Sequence, residues 1–185
     1  MTRMLGLFLS VAVALPASAA SLNGLEFPDS LTYKTQKLVL NGLGPRLATI
    51  FSVKVYVAGL YIKEKNKDPK AILASKGPKV MWLKFNRDVS KDQLNDAWND
   101  RIEACKKDCD KFKPGIETIK GWMRDIKEKE ELRFEADGTK LTTLVNGEKK
   151  GEVDIEGFAS FFFGIWLGDD PPNSSLKKGL LGNKI

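Results

Sequence analysis

The sequence predicts an α+β fold built on an antiparallel sheet, on three observations. Apolar residues alternate with a period of two through Leu22–Lys63 and again at Val80–Phe85. The period changes to about 3.6 from Ser90 onward. Two short alternating runs, Glu131–Ala136 and Lys140–Val145, flank Asp137-Gly138, a strong hairpin signal. Strands, then helices, then strands, then helices give this class, because each helix carries an apolar face that needs a sheet to cover.

Taken in order, Leu22–Lys63 reads as a run of strands punctuated at Phe27-Pro28-Asp29 and at Asn41-Gly42-Leu43-Gly44-Pro45, with Leu38-Val39-Leu40 before the second turn and Leu47–Val53 after it. The strongest strand is Val53–Ile62. Val53, Val55, Val57 and Tyr61 fall on one face and Tyr56, Ala58, Leu60 and Ile62 on the other, so both faces are apolar and the strand is covered on each side or lines a cavity. Ser90 with Gln93 forms a capping box that opens a helix, whose stripe is Leu94, Ala97, Trp98, Ile102 and Cys105. Pro114 is expected to start a second helix bearing Ile116, Ile119, Met123 and Ile126. Asn146-Gly147 begins another turn. Ile155–Leu167 is apolar on nearly every side and reads as a helix buried between layers. A short last helix follows Pro171-Pro172, capped by Asn173 or Ser174 and ending near Gly179.

Residues 1–20 stand apart as a signal peptide: Arg3, an apolar run from Met4 to Leu15, then Ala17-Ser18-Ala19, with cleavage after Ala19 or Ala20. The other reading is a retained N-terminal anchor. No later segment approaches the roughly 20 apolar residues a membrane span needs. Residues 21–185 then form one domain, long enough for a sizeable core, and the expected location is periplasmic or secreted. Cys105 and Cys109, separated by Lys-Lys-Asp, pair in an oxidising compartment if the backbone there is not a regular helix; free thiols are the alternative.

Composition excludes several function classes. The chain has no histidine, which removes imidazole-based nucleophilic catalysis and His-ligated zinc or haem. No cofactor or metal site is expected. The net charge of +6 is spread among alternating acids and bases, as in Lys63-Glu64-Lys65, and describes a solvated surface instead of a nucleic-acid footprint. No P-loop, dinucleotide-binding glycine fingerprint or EF-hand loop is present.

Several landmarks, in order and over nearly the whole of the chain after residue 20, resemble the chalcone isomerase-like family. They are Asn41-Gly42-Leu43-Gly44-Pro45-Arg46, the strand Val53–Tyr61, the helix opened by Val89-Ser90, and the stretch from Gly157-Phe158 through Gly164-Ile165-Trp166-Leu167-Gly168 to Leu180-Leu181-Gly182. The resemblance implies an open-faced β-sandwich, an antiparallel sheet packed against a layer of helices, with a ligand cleft between them. It also implies three kinds of relative: plant enzymes that close chalcones to flavanones, fatty-acid-binding proteins, and bacterial exported members. Arg46 matches the enzymes' substrate-orienting arginine. Tyr56 stands at the position of their threonine, Leu94 at the helix-start tyrosine, Arg101 at the asparagine and Ile165 at the late serine or threonine.

Those replacements have a chemical meaning of their own. Leu94 and Ile165 cannot donate hydrogen bonds to a developing enolate. Arginine stays charged and offers a planar fork suited to a carboxylate, and a tyrosine hydroxyl beside it adds a donor. Arg46, Tyr56 and, as a second cation, Arg101 therefore read as a grip for a fatty acid or similar apolar acid, with Leu94 and Ile165 in the apolar wall. The alternatives are an intramolecular lyase or isomerase with a changed substrate, using Arg46 as electrophile, and an envelope interaction protein with a vestigial cleft.

Overall fold

Among the described residues, alternation and turn chemistry together lay down nine strands, seven of them in one sheet. The computed structural model describes residues 19–48, 52–103, 105 and 109–185; the apolar segment expected to be a signal peptide lies, up to Ser18, outside them. Strands β1 (Ala19–Leu22) and β2 (Leu25–Pro28) pair with each other. The main sheet takes β3 (Ser30–Tyr33), β4 (Gln36–Ala48), β5 (Val53–Ile62), β6 (Lys79–Phe85), β7 (Glu131–Asp137), β8 (Lys140–Val145) and β9 (Glu148–Asp154), antiparallel throughout and in sequence order. Helices α1 (Pro69–Ala74), α2 (Lys91–Glu103), α3 (Cys109–Trp122), α4 (Phe158–Leu167) and α5 (Ser174–Leu180) complete it. Among the described residues no helix is long and apolar enough to cross a membrane.

From Tyr56 on, the two faces of β5 divide as its alternation requires; Val55, expected on the face of Val57 and Tyr61, instead packs with Tyr56 against the helix-side core, because a register shift opposite Arg46 and Leu47 breaks the alternation there. Ala58, Leu60 and Ile62 join the large core under the helices, with Met81, Leu83 and Phe85 from β6 and Leu132 and Phe134 from β7. Val57 and Tyr61 point the other way, into a second core with Phe27, Leu38 and Val80 that the β1–β2 pair helps to cover. Tyr61 is fully buried there, and its hydroxyl donates to the Pro28 carbonyl at 2.9 Å, which satisfies the one polar atom an aromatic core residue of this kind carries. The turn between β8 and β9 is built on Asn146 and Gly147, both at positive φ (48° and 80°), as a two-residue hairpin demands.

Four expectations need correction. Asn41–Pro45 is not a turn: β4 runs straight through it, with a register shift at Asn41. The glycines are there because α5 lies directly on the strand. A Cβ on Gly44 would sit 2.1 Å from the Leu176 carbonyl oxygen, and one on Gly42 2.1 Å from that of Gly179. Pro45 is tolerated because β3 pairs only with the Gln36–Val39 end of β4, leaving this stretch without a strand on that side. Secondly, α3 begins at Cys109, not at Pro114; the hydrogen bond that Pro114 cannot make is to the carbonyl of Asp110, in an exposed first turn where water can take it. The same helix stops at Trp122. Ile126 lies beyond it and pairs with Val89 through two 2.9 Å backbone hydrogen bonds. Thirdly, Ala97 is exposed, so the α2 stripe is narrower than its spacing suggests. Fourthly, Asn173 stands at the N-cap of α5 as expected, but its side chain makes no bond to the helix backbone; it reaches β4 and the Ser175 hydroxyl instead.

Other expectations hold. The capping box closes both ways, Gln93 N donating to Ser90 Oγ at 3.2 Å and Ser90 N to Gln93 Oε1 at 3.1 Å. Cys105 and Cys109 are joined in a disulfide, with Cα atoms 5.7 Å apart. Helix α1 carries a signal that pattern reading passed over: Asp68 accepts from Lys70 N at 2.9 Å as N-cap, and Pro69 follows at the first helical position.

Candidate functional site

Where α2 and the C-terminal part of α4 lie over the β4–β7 region of the sheet, a cleft of about 240 Å³ remains. Register decides what faces it. Arg46 of β4 is directly opposite Tyr56 of β5, and Tyr56 is opposite Phe85 of β6, so the three form one row across the sheet. Leu83 and Leu132, paired across β6 and β7, extend the floor. From above, α2 contributes Leu94, Trp98 and Arg101, and α4 contributes Ile165 and Trp166. Arg46, Tyr56, Leu94, Arg101 and Ile165, singled out from sequence on four different elements, thus all line one cavity.

Depth sorts the lining by polarity. Leu83, Phe85, Leu132, Trp98 and Trp166 are buried, Arg46, Tyr56 and Arg101 are half-buried, and Arg87, Gln93, Ala97 and Asp100 are exposed. An apolar floor below a cationic shelf is the general form of a site for an amphipathic anion.

The polar shelf is held from behind. Trp166 Nε1 donates to the Tyr56 hydroxyl oxygen at 3.0 Å, which fixes the phenol while leaving its own proton without an acceptor among the described residues. Burial pushes the Tyr56 pKa up; the Trp166 hydrogen bond and the Arg46 and Arg101 charges offset this only in part. The phenol is therefore a neutral donor at any physiological pH. One guanidinium nitrogen of Arg46 donates to the Leu47 carbonyl, leaving the rest of the fork for the cleft. Arg101 donates to the Asp170 carbonyl at 2.6 Å and stands 3.4 Å from the Asp170 carboxylate, which ties α2 to the loop after α4.

Sequence reading missed the residues that do this positioning. Asn173 is the clearest: its Nδ2 donates to the Pro45 carbonyl at 3.0 Å and its Oδ1 accepts from Leu47 N at 3.1 Å, clasping β4 on both sides of Arg46. Sequence marks it only as a helix cap, because its β4 partners are more than 120 residues away. Arg87 and Asp100, at the mouth, likewise carry no pattern beyond a charged surface.

An antiparallel sheet with a helix layer over one face and a cleft between them defines an α+β protein of the open-faced sandwich class. The sequence matches the chalcone isomerase-like family over residues 19–182, and the chain belongs to that family. Among solved structures, the Arabidopsis thaliana fatty-acid binding protein has the same fold, with a TM-score of 0.65 over 89% of this chain and 96% of that one, at 14% identity. No curated protein matches the sequence.

Proposed function

We propose that this is an exported, non-catalytic protein that binds a fatty acid or similar apolar carboxylate in the cleft between sheet and helices. The observation that carries the reading is the cross-strand pair Arg46–Tyr56, set over an apolar floor, with the Tyr56 oxygen accepting from Trp166 and its proton without an acceptor among the described residues. A carboxylate placed there receives a charged fork from Arg46 and a neutral hydroxyl from Tyr56, with the Arg101 charge near enough to act on the phenol. The alkyl chain then lies on Phe85, Leu83 and Leu132.

Support for binding over isomerisation comes from the two apolar members of the set. Leu94 and Ile165 are 8% and 7% exposed and offer no donor for an enolate. The Arabidopsis fatty-acid binding protein, which shares the fold, agrees with this reading. Export is supported by the apolar N-terminal run ending Ala17-Ser18-Ala19 and by the Cys105–Cys109 disulfide.

The test is mass spectrometry of what co-purifies with the protein from its native compartment, beside Arg46→Ala. A stoichiometric acyl acid in the wild type, lost from the variant, is expected. An acid retained equally by both would refute the Arg46 grip.

A further inference from the structure

We infer that the cleft selects medium-chain acids, of about eight to twelve carbons, and that Trp98 sets the limit. The inference rests on the carboxylate reading above and deepens it by two independent measures of how much ligand the cavity can enclose.

Volume gives the first. A 150 Å³ apolar cavity holds benzene, six heavy atoms, or about 25 Å³ each. The 240 Å³ here then accommodates about ten heavy atoms, the count in an eight-carbon acid. Length gives the second. From Arg46 through Tyr56 and Phe85, and then through Leu83, two residues along β6, to Leu132, the lining crosses from β4 to β7, three inter-strand spacings or about 14 Å measured across the strands. An extended alkyl chain advances about 1.25 Å per bond, the projection of a ~1.5 Å carbon–carbon bond, so that distance spans about eleven bonds.

Beyond this length the cavity is closed by rings. Trp98, 5% exposed, stacks on Phe162 at 5.4 Å between centroids and meets Phe134 edge-on at 5.9 Å. Phe134 and Phe162 are fully buried and lie outside the cleft lining, so Trp98, with Trp166 beside it against the same two rings, is the wall between cavity and core. A longer chain must displace a packed aromatic cluster or run back into water. Neither adds apolar burial, so added methylenes stop contributing.

Calorimetric titration of the full chain with straight-chain acids from C6 to C18 tests this. Affinity is expected to rise about four-fold per methylene while carbons enter the cleft, then level off between C8 and C12. Trp98→Phe, which keeps an aromatic ring against Phe162 but is smaller, should move the plateau to longer acids. A rise continuing unbroken to C18 would overturn the length limit while leaving the Arg46 grip standing. A wild-type plateau that stays in place in a folded Trp98→Phe protein would overturn the assignment to Trp98. Absence of binding at every length would overturn the carboxylate reading itself, and the length limit with it.

Discussion

Replacing Tyr56 by phenylalanine separates what the hydroxyl does for the fold from what it does for a ligand. Trp166 is 1% exposed and its Nε1 donates to that hydroxyl at 3.0 Å, so Tyr56→Phe leaves a buried N–H without its acceptor. An orphaned buried donor costs about 1–3 kcal/mol, and urea denaturation of the ligand-free protein should show a loss of stability of that size. A carboxylate in the cleft also loses a hydrogen bond to a charged group, worth about 1.5–3 kcal/mol, or roughly 10- to 150-fold in dissociation constant. Titration with a C10 acid reads this second effect directly. Stability reduced with affinity unchanged would mean that the phenol braces Trp166 and does not touch the ligand. No change in either quantity would refute both assignments.

Three further predictions concern the scaffold. Gly44→Ala places a Cβ 2.1 Å from a backbone oxygen that cannot rotate away, so α5 must lift from β4 at about 3 kcal/mol by urea denaturation, whereas Gly121→Ala, with nothing within 4 Å, is neutral or stabilising. Asn41 is 6% exposed and donates to the Asn66 and Leu180 carbonyls while accepting from Asn66 N, so Asn41→Ala should cost about 2–4 kcal/mol in the same assay. Hydrogen bonds from Arg124 and from Lys127 N hold the Glu130 carboxyl below its ordinary value of 4.5. A depressed folded-state pKa stabilises above the unfolded value and is lost as pH falls through the folded one, so denaturant midpoints should drop as pH falls below about 4.5, and Glu130→Gln should flatten that drop.

The parts of the fold legible in the sequence are those whose cause is local. Alternation alone separates Tyr56 from Tyr61, and the structure sends them to opposite cores because successive side chains on a strand must point to opposite faces. The Ser90–Gln93 capping box is complete within four residues. What misleads is composition with two possible causes. Asn41-Gly42-Leu43-Gly44-Pro45 has the residues of a turn, yet the same glycines admit a helix from 130 residues downstream, and only the packing of α5 distinguishes the two. Ile126 falls at helical spacing from Met123 although the chain has already left the helix, since burial and not periodicity put it there.

In the cleft the pattern is similar. The family resemblance, with strand parity, picks out Arg46 and Tyr56, but the bonds that hold them come from Trp166 and Asn173, over separations of more than 100 residues. A residue that clasps a backbone at long range carries no sequence period.

The most direct test compares decanoic acid with decan-1-ol, which share a chain and differ in the head group, binding to the wild type and to Arg46→Ala. A charged grip predicts that the wild type prefers the acid by at least about ten-fold and that Arg46→Ala loses this preference while still binding the alcohol. Equal affinity of the wild type for acid and alcohol would contradict a carboxylate site at Arg46 and Tyr56.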